Sequence, residues 1–458
     1  MGEETVVWDF STDPEWAEQL DWVRTFVKEE VAPLDLLWPE YHHRVLPPYL
    51  RKVVDPLKQK VKDRGLWACH LGPDLGGKGY GQVKLCLLNE ILAPYHWAPT
   101  IFGTQAPDTG NAEVIAHYGN AEQKAKYLQP LLDGEIFSTF AMTEPHAGAD
   151  PTLFKFRAEK DGEEWVLNGK KFFSSNTDQA SFFLTMAVSN PDVHPYQGIS
   201  MFLVPRETPG ISVERPTHYM GAEVHTGPML HPVLAFDNVR VPASALLGDE
   251  GQGFVIAQTR LSGGRIHHAM RAIGQAQFAF EMMCERALSR HSGDRPIADK
   301  QMVQEAIAES YADIEQFRLF VLRTAWKIDH GKGYTGEIRK EIAIAKVLSA
   351  KVMARVIERA VHIHGALGTS NETKLGAMWM LVPGYGIWDG PTESHITTAS
   401  RQILKDYSPS PDLWPTEFLP RQVAAARERF ASVLAEEAEW SANNTLNSGV
   451  FHIPGIPD

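Results

Sequence analysis

The stretch YGIWDGPTESHITTASRQIL sets one acid, Asp389, between an apolar run and a Gly-Pro break. A helical pattern follows over roughly residues 391–406. Two chemistries fit. An Asp before Gly-Pro is good capping chemistry for the next helix. The same carboxylate can serve as a general base, provided it reaches the proton it must take and is not solvated away. Arg265 in LSGGRIHH, Arg290 in SRHSGDRPIADKQ and Arg401 in TTASRQIL each carry a planar fork suited to phosphate or carboxylate. Taken alone, Arg290 also reads as a solvated charge at a helix end and Arg401 as a structural pairing residue. NGKKFFSSN by itself reads as strand and turn. The Gly-rich LGPDLGGKGYG lacks the Lys-Ser/Thr ending of a phosphate cradle, and no strand clearly precedes it, so it reads as a plain loop. Cys69, Cys86 and Cys284 are isolated and show no metal-ligand spacing; they read as reduced, buried thiols, and no metal is expected.

The elements that must position these residues change texture twice. Residues 13–134 are helical. Trp16, Leu20, Val23, Phe26, Val27 and Val31 form one helix face, YLRKVVDPLKQKVKDRGLW repeats the pattern up to Gly65, and GNAEQKAKYLQPLLDGE reads as a further amphipathic helix. From Ile136 to about Leu247 the runs are short, rich in β-branched and aromatic residues, and punctuated by Gly, Pro, Asn and Asp. EKDGEEWVLNGKKFF holds two hairpin-like turns, Asp-Gly and Asn-Gly. From Gly251 long helical patterns return with short connections, as in an antiparallel bundle. The tail after Pro409 starts Pro-rich and turns weakly helical around Arg421 to Trp440.

Composition excludes several classes. The chain has 458 residues, 43% hydrophobic and 22% charged, with a formal net charge of -13. That balance suits a globular protein and opposes nonspecific nucleic-acid binding, which needs clustered Lys and Arg. No run of about 18 apolar residues exists, so no membrane span is expected. The start MGEETVVWDF has neither a basic n-region nor an apolar h-region, and Val6 stands where a myristoylation signal wants Ser or Thr; a cytoplasmic protein is expected.

Four motifs in order now resemble the acyl-CoA dehydrogenase family: FAMTEPHAGAD, NGKKFFSSN, RALSRHSGDRPIADKQ, and IHGALGTS ahead of IWDGPTESH. The likeness runs from about residue 15 to 408. FGTQAPDTGNAEVIAHYG and DGPTE look most like the subgroup of human family members ten and eleven. The resemblance implies an α+β fold: an N-terminal helical domain (1–135), a middle β-barrel domain (136–248), a C-terminal four-helix bundle (249–408) and a C-terminal extension (409–458). It implies bound FAD, an acyl-CoA substrate, α,β-dehydrogenation to a trans-2-enoyl-CoA, an electron-transfer flavoprotein as electron acceptor, and a homodimer or homotetramer.

Residue by residue, the resemblance places Phe140, Met142 and Thr143 at the flavin ring, with Gly148 and Ala149 beyond them. Phe173 matches an aromatic packed on the flavin, and Ser175 a Thr hydroxyl. Arg290, Ser292 and Gln301 would reach the FAD of a neighbouring subunit, and His362, Ala366, Pro391 and Glu393 the same cofactor. Ser262, Arg265, Gly390 and Arg401 fall on the substrate side, together with Ala149. Two departures stand out: Ala149 replaces a Ser hydroxyl, and Gly293 replaces a Phe on the adenine side. Asp389 aligns with the family base, usually a Glu, beside N–H groups of Asp389 and Gly390 that would bind the thioester carbonyl. Some branches carry the base just before the Arg265 position; Gly264 stands there and cannot serve. Two other functions stay open. A flavin oxidase of this superfamily, of nitroalkane oxidase or acyl-CoA oxidase type, is compatible with an Asp base, although Ser394, His395, Ile396 and Thr397 occupy the region where nitroalkane oxidases have an Arg. A noncatalytic, DNA-associated flavoprotein conflicts with the acidic charge.

Overall fold

Asp13 starts the first helix by accepting a hydrogen bond from the Trp16 N–H, with Pro14 at the first helical position. Trp16, Leu20, Val23 and Phe26 of the Pro14–Phe26 helix are buried, as the spacing predicts. Pro48–Asp63 buries Leu50, Val54, Leu57 and Val61 in the same way. This computed structural model describes residues 12–42, 44–72, 75, 77–217, 220, 231–331 and 338–443. The first ten residues, on which the signal-peptide and myristoylation readings rest, lie outside the described residues. Among the described residues no helix is long and apolar enough to cross a membrane.

The chain divides into two compact units, residues 1–400 and 401–458. In the first unit the two helical blocks do not have separate interiors. One core joins Val23, Phe26, Leu50 and Phe102 from the N-terminal helices to Ile273, Phe317 and Val356 from the C-terminal ones. The 37-residue helix Gly253–Ser289 is the axis of this core and packs on Gly81–Leu92, Gln301–His330 and Arg339–His364. Gly274 makes the crossing close: a Cβ there would lie 2.1 Å from the Glu90 carbonyl oxygen.

Between the helical blocks lies an eight-stranded sheet ordered β6-β7-β3-β2-β4-β5-β8, with β1 beside β4. The strands are β1 Ser138–Ala141, β2 Arg157–Asp161, β3 Glu164–Lys171, β4 Phe182–Val188, β5 Ile199–Pro205, β6 Ile211–Arg215, β7 Val233–Pro242 and β8 Leu246–Leu247. Side chains alternate between the faces of a strand, and here both faces are buried. In β4, Phe182, Leu184 and Met186 enter a core shared with helices, while Phe183 and Ala187 point into a second core of the sheet itself. In that second core Trp165 of β3 meets Phe202 of β5 at 5.3 Å, and Phe183 of β4 meets Phe236 of β7 at 6.3 Å. The sheet therefore curls around its own interior, barrel-like. β1 runs parallel to β4, with Phe140 opposite Leu184, so the loop after Ala141 leaves the sheet at a fixed place.

The second unit contains the helices Leu419–Arg429 and Ala431–Asn443. Neither buries a residue, and Trp414 stacks on Phe418 at 4.6 Å.

Candidate active site

Arg260, Gly264 and His268 follow one another at a spacing of four on the Gly253–Ser289 helix, so they share one face. Asp389 rests on that face. Its Oδ2 lies 3.1 Å from His268 Nε2, and its Oδ1 lies 3.7 Å from Arg260 Nη1. Gly264 is the gap between these two donors. A Cβ at that position would lie 2.4 Å from Asp389 Oδ2, so only glycine leaves room for the carboxylate. Arg265, from the same helix, donates through Nε to the Asp389 carbonyl oxygen at 2.9 Å and thereby holds the backbone of the turn.

That turn follows the Leu375–Tyr385 helix and precedes Thr392–Leu404. Asp389 has φ 55°, in the left-handed region that Asp tolerates better than most residues. Gly390, with φ 111°, cannot take a side chain without crowding His395 Nε2 at 3.0 Å. Among the described residues no helix N–H donates to the Asp389 carboxylate. The capping reading therefore loses to one in which side chains of another helix hold this acid. The N–H groups of Asp389 and Gly390 also enter no hydrogen bond among the described residues.

The site is largely shut off from water; the Asp389 side chain is 19% exposed. Burial alone would raise its pKa. The His268 hydrogen bond and the charges of Arg260 and Arg265 outweigh it and hold the carboxyl well below the usual carboxylate range. Asp389 is thus ionised at neutral pH. Burial pushes the His268 imidazole down to about 4, so the ring is neutral there. Lys346, whose ammonium donates to the Tyr385 carbonyl, is lowered by burial to about 8.

Arg260 also ties this acid to the sheet. Its guanidinium lies 4.0 Å from the Phe140 ring centre and donates through Nε to Asn111 Oδ1 at 2.9 Å. Asn111 donates to Ser138 Oγ, which in turn donates to Asp108. Beyond Phe140, the two loops singled out in the sequence are fastened together. Glu144 accepts from the N–H groups of Lys155 and Phe156 and forms a buried ion pair with Lys171 at 3.0 Å. Lys171 also donates to the Met142 carbonyl, and the Phe172 N–H to the Thr143 carbonyl at 2.8 Å.

This cluster has the donors and faces that a flavin requires. The N–H groups of Met142 and Thr143 enter no hydrogen bond among the described residues. Phe173 is 53% exposed, has φ 51° and stacks on Phe172 at 3.9 Å between ring centres. A bulky residue in that conformation is strained, and here the strain turns an aromatic face outward. Gly148 and Ala149 are exposed, and Ser175 Oγ lies 2.8 Å from His231 Nδ1. A polar edge next to outward aromatic surface fits a heteroaromatic ring with polar atoms along one side.

The remaining expected residues lie apart. Arg290, Ser292, Gln301, His362 and Ala366 are exposed, and within the chain none of them bonds to the Asp389 or Phe140 groups. Gly293, with φ 68°, forms the turn of the short hairpin after Arg290. Ser262 turns its hydroxyl back to the Gln258 carbonyl at 2.8 Å. Pro391 is half-buried at the start of the Thr392–Leu404 helix, Glu393 is exposed in its first turn, and Arg401 is exposed in its last. Sequence reasoning missed Arg260, His268 and Asn111. The first two carried a signal, because Arg260, Gly264 and His268 recur at helical spacing.

Family models for the N-terminal, middle and C-terminal domains of acyl-CoA dehydrogenases match residues 13–135, 139–239 and 251–404. The chain belongs to the acyl-CoA dehydrogenase family. FadE2 of Mycobacterium tuberculosis, which carries the name of an acyl-CoA dehydrogenase, is 39% identical over 357 residues, 77% of this chain and 86% of its own length. Acyl-CoA dehydrogenase family member 11 of Gallus gallus is 38% identical over 396 residues, covering 84% of this chain. The match takes in 50% of that relative, so the chain spans about half its length. A solved structure from Mycobacterium abscessus, described as an acyl-CoA dehydrogenase, gives a TM-score of 0.80 at 37% identity, covering 87% of this chain and 100% of the other. Acyl-CoA dehydrogenases are flavin-dependent oxidoreductases acting on acyl-CoA, and membership places this chain among them.

Proposed function

We propose that the chain catalyses α,β-dehydrogenation of an acyl-CoA thioester to a trans-2-enoyl-CoA, with Asp389 as the base. The observation that carries this reading is the Asp389 carboxylate, seated in the Gly264 notch 3.1 Å from His268 Nε2 and largely closed to water. Removing a proton next to a thioester carbonyl requires a carboxylate close to that carbon. It also requires donors where enolate-like charge develops on the carbonyl oxygen. The uncommitted N–H groups of Asp389 and Gly390 are suited to that second task. Arg265 keeps the turn in shape through the Asp389 carbonyl.

Bound FAD supplies the hydride acceptor for the hydrogen that leaves the β-carbon. Met142 and Thr143 would hold its polar edge through backbone N–H groups, and Phe173 would cover part of its ring. Arg290 would reach the pyrophosphate of a partner subunit's FAD, where a planar cationic fork binds well. An electron-transfer flavoprotein would reoxidise the enzyme. Purified protein titrated anaerobically with acyl-CoAs of graded length should lose its flavin absorbance and yield an enoyl-CoA. Reoxidation that needs an added acceptor, with little oxygen consumed, separates a dehydrogenase from an oxidase. A protein that binds no flavin after reconstitution would end this reading.

Arg290 gives a second expected outcome. In sedimentation the protein should be a dimer or a dimer of dimers. Arg290→Ala should keep its helices and lose FAD, with about tenfold or weaker cofactor affinity from the missing charge-assisted bonds. A monomer that retains FAD tightly would reassign Arg290 to surface charge.

A further inference from the structure

We propose that His268 is a positioning residue for Asp389: it donates from Nε2 to Oδ2, Arg271 fixes that direction from the other side of the ring, and Oδ1 is left as the oxygen that takes the proton. The inference rests on the reading of Asp389 as base.

Arg271 Nη2 lies 3.3 Å from His268 Nδ1. A guanidinium has donors only, so Nδ1 must accept and the ring proton must sit on Nε2. Nε2 faces Asp389 Oδ2 at 3.1 Å. The imidazole is also clamped. Tyr385 meets it edge-on at 5.7 Å and 76°, and Trp388 lies at 5.7 Å on another side. Arg271 also bears electrostatically on the Tyr385 hydroxyl.

The charges around the pair point the same way. Asp389 faces the ring at Nε2, Arg271 and Lys346 press on it, and His267 precedes it on the helix. Arg260 and Arg265 bear on the carboxylate. Two cations beside a buried imidazole disfavour a second proton on it. With Nδ1 occupied by Arg271, the ring cannot pass a proton through. It can orient the acid but cannot relay for it. Oδ2 is consumed by His268 and lies against Gly264, whereas Arg260 stands 3.7 Å from Oδ1, beyond hydrogen-bond distance. Oδ1 makes no hydrogen bond among the described residues and is therefore the freer oxygen.

The test compares His268→Gln with His268→Leu. Gln can place an N–H near the former Nε2; Leu cannot. Stopped-flow flavin reduction in the Gln variant should stay within about fivefold of wild type. In the Leu variant it should fall about 10- to 100-fold, the range of a lost hydrogen bond to a charged group, with acyl-CoA affinity changed far less. Losing the donor removes a cause of the low Asp389 pKa. The acid limb of kcat/KM should then move up by about one pH unit or more in the Leu variant. Nitrogen NMR of ¹⁵N-histidine-labelled holoenzyme without substrate should show a bare Nδ1 and a protonated Nε2 for His268, assigned by its loss in the Gln variant. A Leu variant with wild-type rate and pH profile would overturn the proposal. So would a Gln variant as slow as the Leu variant, which would make His268 a relay, or a proton found on Nδ1. The NMR result holds whether or not Asp389 is the base, so failure of that wider reading would be seen separately.

Discussion

Asp389→Asn is expected to purify folded and yellow, to bind acyl-CoA, and to reduce its flavin about 10²- to 10⁴-fold more slowly than wild type. Folding should survive because Asn tolerates the left-handed backbone that Asp389 adopts at φ 55°. Its side-chain oxygen can still accept from His268 Nε2, which lies 3.1 Å from the native carboxylate. An amide cannot accept the α-proton, so the chemical step fails while the architecture remains. An acid that merely capped the next helix would behave differently. Asn would then leave the rate near wild type, and Ala would lower stability by about 1 kcal/mol.

Gly264→Ala should be nearly as damaging to the rate, although it adds one methyl group. The added Cβ would lie 2.4 Å from Asp389 Oδ2 and 3.4 Å from Cγ. The carboxylate is on a short stem and must swing out of the notch, away from His268. A displacement of about 1 Å at a catalytic group can cost about 10²-fold. The helix itself should not suffer, because Ala is a better helix former than Gly by about 1 kcal/mol. Thermal unfolding at or above the wild-type temperature together with slow flavin reduction is the expected pair of results. A fast Gly264→Ala enzyme would show that the carboxylate works from outside the notch.

Much of the frame was legible in the chain. Trp16, Leu20, Val23 and Phe26 announce a buried helix face through spacing alone. The runs at β4 and β5 announce strands buried on both sides, because apolar residues there are nearly continuous. Local pattern could not show that Phe102 and Phe317 share one core, since that depends on contacts across hundreds of residues. The two motifs expected at the flavin were readable as separate loops. Their fastening through Glu144 and Lys171 was not, because an ion pair has no periodicity to betray it. For the acid, a position is legible without its surroundings. In the sequence Gly264 shows only the lack of a carboxylate, whereas its role is steric: it makes room for one. Arg260 and His268 could have been drawn from the same helix face once the turn carrying Asp389 was known to rest on it.

The central claim is that Asp389 removes the α-proton, and proton removal can be measured apart from hydride transfer. An acyl-CoA with sulfur in place of its β-carbon can lose an α-proton but has no β-hydride to give. Incubated in D₂O with wild-type holoenzyme, it should gain deuterium at the α-carbon, read by mass spectrometry. With Asp389→Asn, the gain should slow by at least about 10²-fold while the analogue remains bound. Exchange in the Asn variant at the wild-type rate would contradict the account.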